Sequence, residues 1–111
     1  MTLTERDVIA AVGEITTTRL RTWVRRGWIQ PAREGRRRVF TDIDVARVRF
    51  VHHLTQRLEV SDDEVPVILS LMDQVYGLRS ALRTLGRAID SQPEPVRAEI
   101  ARTFRELRGS A

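Results

Sequence analysis

Two arginine groups in the first half of the chain have the spacing to do chemistry. Arg19, Arg21 and Arg25 lie in TTTRLRTWVRRG, and Arg33, Arg36, Arg37 and Arg38 lie in PAREGRRRVF. A guanidinium stays charged at any ordinary pH and presents five N–H donors in a planar fork. It therefore suits phosphate oxygens and the acceptor edges of bases. A helix bearing the first group and a loop bearing the second would place one in a major groove and the other on phosphates. The competing reading is a solvated loop whose arginines pair with Glu34, Asp42 or Asp44, and such surface pairs contribute little.

Other chemistry is scarce. The chain has no cysteine, which excludes disulfides, thiol catalysis and thiolate metal sites. His52 and His53 are adjacent, so on a helix they point about 100° apart and cannot form an i,i+4 metal pair. No carboxylate pair, nucleophile elbow or glycine-rich phosphate loop is recognisable. The sequence thus predicts a protein that is not an enzyme and uses no metal or cofactor. No apolar run is long enough to cross a bilayer and MTLTERDVIAAV is too polar for a signal peptide, so a cytoplasmic location is expected.

The charge is unevenly placed. Residues 1–53 hold 11 Arg against 6 acids, whereas residues 54–111 hold 8 Arg against 9 acids. A basic first half fits an anionic partner. All 19 basic residues are Arg, so part of this excess is a preference for Arg over Lys.

The elements that must carry these groups are short. Thr4 and Asp7 predict a capped helix ended by Gly13. A threonine of 16–18 caps a second helix, with Leu20, Trp23 and Val24 on its apolar face and Gly27 after its end. The four-residue connection GEIT is the length of a helix-turn-helix link. Trp28-Ile29 and Arg38-Val39-Phe40 read as short strands flanking a wing loop, 31–37. Thr41 and Asp44 form a capping box for a third helix, whose apolar face is Ile43, Ala46, Phe50, Val51, Leu54 and Leu58. Trp23, Trp28, Phe40 and Phe50 are expected to fill the core of this winged part rather than stack on bases.

After the acidic break EVSDDEVPV, with Ser61 and Glu64 in a capping pattern, comes the most regular signal. Ile68, Leu71, Val75, Leu78, Leu82, Leu85 and Ile89 alternate at spacings of three and four, an a/d seam over roughly 33 Å of helix. A chain this small can cover only part of such a stripe, so a homodimer joined along it is expected. The alternative is that the terminal helix EPVRAEIARTFREL folds back with Val96, Ile100, Phe104 and Leu107. The organisation is then a winged helix-turn-helix over 1–60, an acidic-capped long helix with the dimer seam over 61–91, and a terminal helix with a frayed tail over 92–111. The fold class is mostly α with a small β wing.

The stretch TRLRTWVRRGWIQPAREGRRRVFTDIDVARVRFVHHL resembles the winged helix of MerR-type transcriptional regulators. The stretch EVSDDEVPVILSLMDQVYGLRSALRTLGRAI resembles instead the chaperone-modulator (CbpM-type) family. That family shares the MerR-like winged part and then carries a V-I-L-x-L-x-D-Q segment, here Val67-Ile68-Leu69, Leu71 and Asp73-Gln74, followed by Leu78-Arg79. The resemblance implies a protein that binds the J-domain of a DnaJ/CbpA-like co-chaperone and restrains its stimulation of Hsp70. A J-domain presents a basic helix, so the implied contact surface is acidic: Glu59, Asp62, Asp63, Glu64 and Asp73. On this reading chaperone modulation is the favoured function. DNA-binding regulation through Arg19, Arg21, Arg25 and the wing arginines is the alternative. About 20 residues follow the seam, too few for an effector pocket of ordinary size.

Overall fold

A computed structural model describes residues 2–109. Thr4 begins the first helix. Its hydroxyl accepts from the Asp7 N–H and the Asp7 carboxylate accepts from the Thr4 N–H, a closed capping box for α1, Glu5–Val12. These hydrogen bonds hold the Asp7 carboxyl below its ordinary range, the Thr4 backbone N–H contributing most. Gly13, at φ 90°, ends the helix. Thr16 then caps α2, Thr17–Arg25, by accepting from the Arg19 N–H. Gly27, at φ 79°, turns the chain out of α2.

The wing is a two-stranded hairpin, β1 (Ala32–Glu34) and β2 (Arg37–Val39), paired antiparallel with Arg33 opposite Arg38. Trp28-Ile29, expected as a strand, forms none. Both residues are buried, and the Trp28 N–H bonds the Trp23 carbonyl, continuing the turn after α2. The wing loop is accordingly only Gly35-Arg36, with Gly35 at φ 63°, the left-handed position a two-residue hairpin turn needs. Phe40 follows as a lone bridge residue. It exchanges two backbone hydrogen bonds with Leu3 (2.7 and 2.8 Å), which tie the wing to the chain entering α1.

Helix α3, Asp42–Gln56, carries the expected Thr41–Asp44 box. Its core face agrees with the expected one at Val51 and Leu54 and departs from it elsewhere. Val45, Val48, Val51 and Leu54 are buried, whereas Ile43 is 73% exposed, Ala46 is exposed and Phe50 is half-buried. The helix has two apolar sides, and the side with β-branched valines meets the core. Leu58 falls beyond the helix and is exposed. The core joins Val8 of α1, Leu20 and Trp23 of α2, Trp28, Ile29, Phe40 and the α3 valines.

Helix α4, Val65–Asp90, starts after the turn 62–64, so Pro66 sits in its first turn, where no N–H is needed. Helix α5, Glu94–Gly109, follows Pro93. The chain divides into two compact units, one up to residue 70 and one from residue 71, with the boundary inside α4. Val65 and Leu69 are buried, so the first unit continues past the acidic break. In the second unit no described residue of α5 is buried, and Leu71, Val75, Leu78, Leu82 and Leu85 stay exposed. A fold-back that covers the seam is therefore absent from the described residues. Of the expected frayed tail, Ser110 and Ala111 lie outside them.

Phe40→Ala is expected to cost about 3–5 kcal/mol of unfolding free energy, because the fully buried ring leaves a cavity. Ile43→Ala is expected to change it by less than about 0.5 kcal/mol. Urea unfolding of both variants checks which side of α3 is the core.

Candidate nucleic-acid interface

On α2, residues 18, 21 and 25 are exposed along one side while Leu20 and Trp23 face the core. The packing of α2 and the hairpin leaves a cleft of about 460 Å³ between them. It is lined by Arg21, Val24, Arg25, Ile29, Gln30, Pro31, Arg33 and Arg38. A second cleft of about 770 Å³ runs on towards the start of α1, lined by Thr4, Glu5, Arg6, Arg21, Arg33, Arg36, Arg37 and Arg38. Arg21, Arg33 and Arg38 belong to both, so the two form one basic surface.

Six of the seven arginines singled out in the sequence thus converge: Arg21, Arg25, Arg33, Arg36, Arg37 and Arg38. Arg19 does not. It lines a separate polar cleft with Thr16, Thr18, Thr22, Trp23, Arg26, Thr55, Gln56 and Asp62. Arg6 and Glu5 join the basic surface unforeseen. They lie on α1, remote in sequence, and only the packing of α1 beside α2 brings them in; no spacing in the sequence signals it.

The electrostatics of this surface are unbalanced. Arg33 and Arg38 stand directly opposite on the hairpin, an arrangement that disfavours the pair unless an anion neutralises it. Among the described residues Arg33, Arg36, Arg37 and Arg38 form no ion pair. The one carboxylate lining these clefts is Glu5. It accepts from Arg21 Nε at 3.1 and 3.2 Å and lies 2.9 Å from Nη2. The Glu5 hydrogen bonds and charge raise the already high Arg21 pKa further.

Other arginines have structural partners. Arg47 Nε donates to the Trp28 carbonyl (2.6 Å) and Arg49 Nη2 to the Ala11 carbonyl (2.9 Å), fixing α3 to the turn after α2 and to the last turn of α1. Arg26 lies 5.2 Å from the Trp28 ring centroid and bonds Asp62 at 2.8 Å. Asp62 is thus partly neutralised. Glu64 accepts from the Ser61 hydroxyl (2.8 Å), Glu59 holds a left-handed backbone (φ 53°), and Asp63 is exposed in the same turn. Asp73 lies on α4 in the second unit. Of the seam residues, Ile68 and Ile89 are half-buried and the other five exposed. His52 Nε2 lies 3.3 Å from a Glu14 carboxylate oxygen, and no group of three metal-ligating side chains forms among the described residues.

Residues 7–70 match the sequence profile of MerR HTH family regulatory proteins. The chain belongs to the MerR HTH family. The match covers most of α1, all of α2, the hairpin and α3, and stops at Ser70, inside α4. The region in which the chaperone-modulator resemblance discriminates therefore lies largely beyond the part that identifies this MerR-family chain. No curated protein and no solved structure matches it. No helix among its described residues is long and apolar enough to cross a membrane.

The Arg26–Asp62 pair is half-exposed on both sides. A double-mutant cycle with Arg26→Ala and Asp62→Ala is expected to give a coupling of about 0.2–1 kcal/mol. A larger coupling measured by chemical unfolding would make the pair a structural latch for the start of α4.

Proposed function

We propose that this chain is a dimeric DNA-binding regulator that places α2 in the major groove and its hairpin wing on the flanking phosphates. The observation that carries this reading is the convergence of arginines from α1, α2 and both wing strands on one surface with a single carboxylate. Such a surface relieves its own repulsion by binding a polyanion, releasing counterions as it does so. No catalytic step is part of this function.

The apolar side chains left uncovered support dimerisation. Val67, Leu71, Val75, Tyr76, Leu78, Leu82, Leu85, Val96, Ile100, Phe104 and Leu107 are all exposed on α4 and α5. At about 60–120 Å² each they offer roughly 700–1,300 Å² per chain, against about 800 Å² per partner in an ordinary stable interface. Two copies joined there would present two wings to DNA as a symmetric pair.

A second reading, J-domain binding by a chaperone modulator, draws on a different observation. The exposed acids Asp62, Asp63 and Glu64 directly precede the V-I-L-x-L-x-D-Q segment, and Val67 is exposed beside them. An acidic, partly apolar face of that kind suits a basic helix. The Arg26 guanidinium beside Asp62 already occupies that carboxylate, so this reading comes second.

If about four phosphates are neutralised per subunit, the slope of log K against log salt is expected near −3.6 per subunit. Arg36→Ala with Arg37→Ala should flatten it by about 1.8. Titrations with duplex DNA at several salt concentrations read the slope directly; an unchanged slope in the variant would remove the wing from the interface. Parallel titration with the host's J-domain separates the two readings. Saturable J-domain binding lost on charge reversal of Asp62, Asp63 and Glu64, with no DNA binding, would establish modulation instead.

A further inference from the structure

Resting on the DNA reading above, we propose that Arg21 reads a guanine in the major groove and that Glu5 is the positioning residue that aims it. An arginine on a helix surface ordinarily spreads over many rotamers and meets phosphate as a diffuse positive charge. Arg21 is held instead. Its Nε–Nη2 edge is taken by the Glu5 carboxylate through three contacts of 2.9–3.2 Å. Glu5 is itself well fixed. It is the first residue of α1, directly after the Thr4 cap, its carboxylate suits the positive end of the helix dipole, and its side chain is only 25% exposed.

The chemistry left over is specific. A guanidinium has one N–H on Nε and two on each terminal nitrogen. With the Nε–Nη2 edge occupied, the outer edge, one N–H from each terminal nitrogen, stays available. That edge is the fork that pairs with O6 and N7 of guanine. The Glu5 charge also decides between the two acceptors DNA offers. A carboxylate on the same guanidinium repels a phosphate, whereas the guanine edge is neutral and presents only acceptors. Arg33, Arg36, Arg37 and Arg38, with no carboxylate partner among the described residues, keep their full attraction for phosphate. The surface therefore divides its labour: unpaired wing arginines position the protein, and the paired helix arginine specifies the sequence. Its placement agrees, since Arg21 lines both clefts and shares the first with Arg25.

The test is selection of binding sites from a randomised duplex pool by the full chain and its variants. The wild type should enrich guanine at one position in each half-site. Arg21→Ala should abolish that preference and leave the other positions enriched. Arg21→Lys, which keeps the charge but lacks the fork, should lose it equally. Glu5→Gln should weaken the same preference by at least about fivefold while leaving the salt slope unchanged. Thermal unfolding of each variant shows whether it remains folded, and Arg21→Lys covers the case in which Arg21→Ala does not. Identical base preferences in wild type and Arg21→Lys would overturn the proposal while DNA binding itself stands. Equal weakening of every sequence by Glu5→Gln would reduce Glu5 to a strut between α1 and α2 and overturn it too. Failure of the wild type to retain any duplex would overturn the DNA reading and this inference together.

Discussion

Burial of the Phe40 ring is the constraint on which the rest of the winged unit depends. The residue joins three things at once: the end of the wing hairpin, the backbone entering α1, and the apolar core shared by α2 and α3. The hairpin itself has only six strand residues and four of them are exposed, so it could not hold a position alone. Its place beside α2 is set by Phe40 inside and by the paired backbone of Leu3 and Phe40 outside. The basic surface exists because those contacts bring residues 33–38 opposite residues 21–25.

Within this frame the arginines fall into physically distinct groups. Arg47 and Arg49 satisfy carbonyls and hold α3 in place, and Arg26 caps the turn after α2 while leaning on Trp28. Arg21 is bound to a carboxylate, and the wing arginines face the cleft. A count of positive charge treats all of these alike, and an anionic partner would not. The second unit shows the opposite condition: little of its charge is concentrated, and its apolar rows are largely open to solvent. On the proposed reading, the first unit supplies the surface that meets DNA and these open rows supply the contact with a second copy.

Much of the fold was legible in the residues because local chemistry decided it. Thr4, Thr16 and Thr41 cap where a hydroxyl at that spacing must, and Gly13, Gly27 and Gly35 take backbone angles that other residues resist. The apolar stripe along α4 follows directly from its period. What stayed hidden was set by tertiary packing. Trp28 and Ile29 have strand propensity, yet the turn after α2 and the core claim them. Helix α3 has two apolar sides, and periodicity alone does not choose the valine side over Ile43 and Ala46. Arg6 and Glu5 reach the basic surface across a helix packing, and Arg19 leaves it because its side of α2 faces away from the wing. The acidic group gave no warning that Asp62 is held by Arg26, 36 residues earlier in the chain.

On the proposed reading α2 and the wing together form the surface that meets duplex DNA. Amide ¹H–¹⁵N spectra of the full chain, recorded while duplex DNA is added near physiological salt, test it most directly. Salt-sensitive shifts are expected, concentrated at residues 18–25 and 33–38, with the turn at 59–64 unaffected. Shifts confined to that turn and α4, or none at saturating DNA, would contradict it.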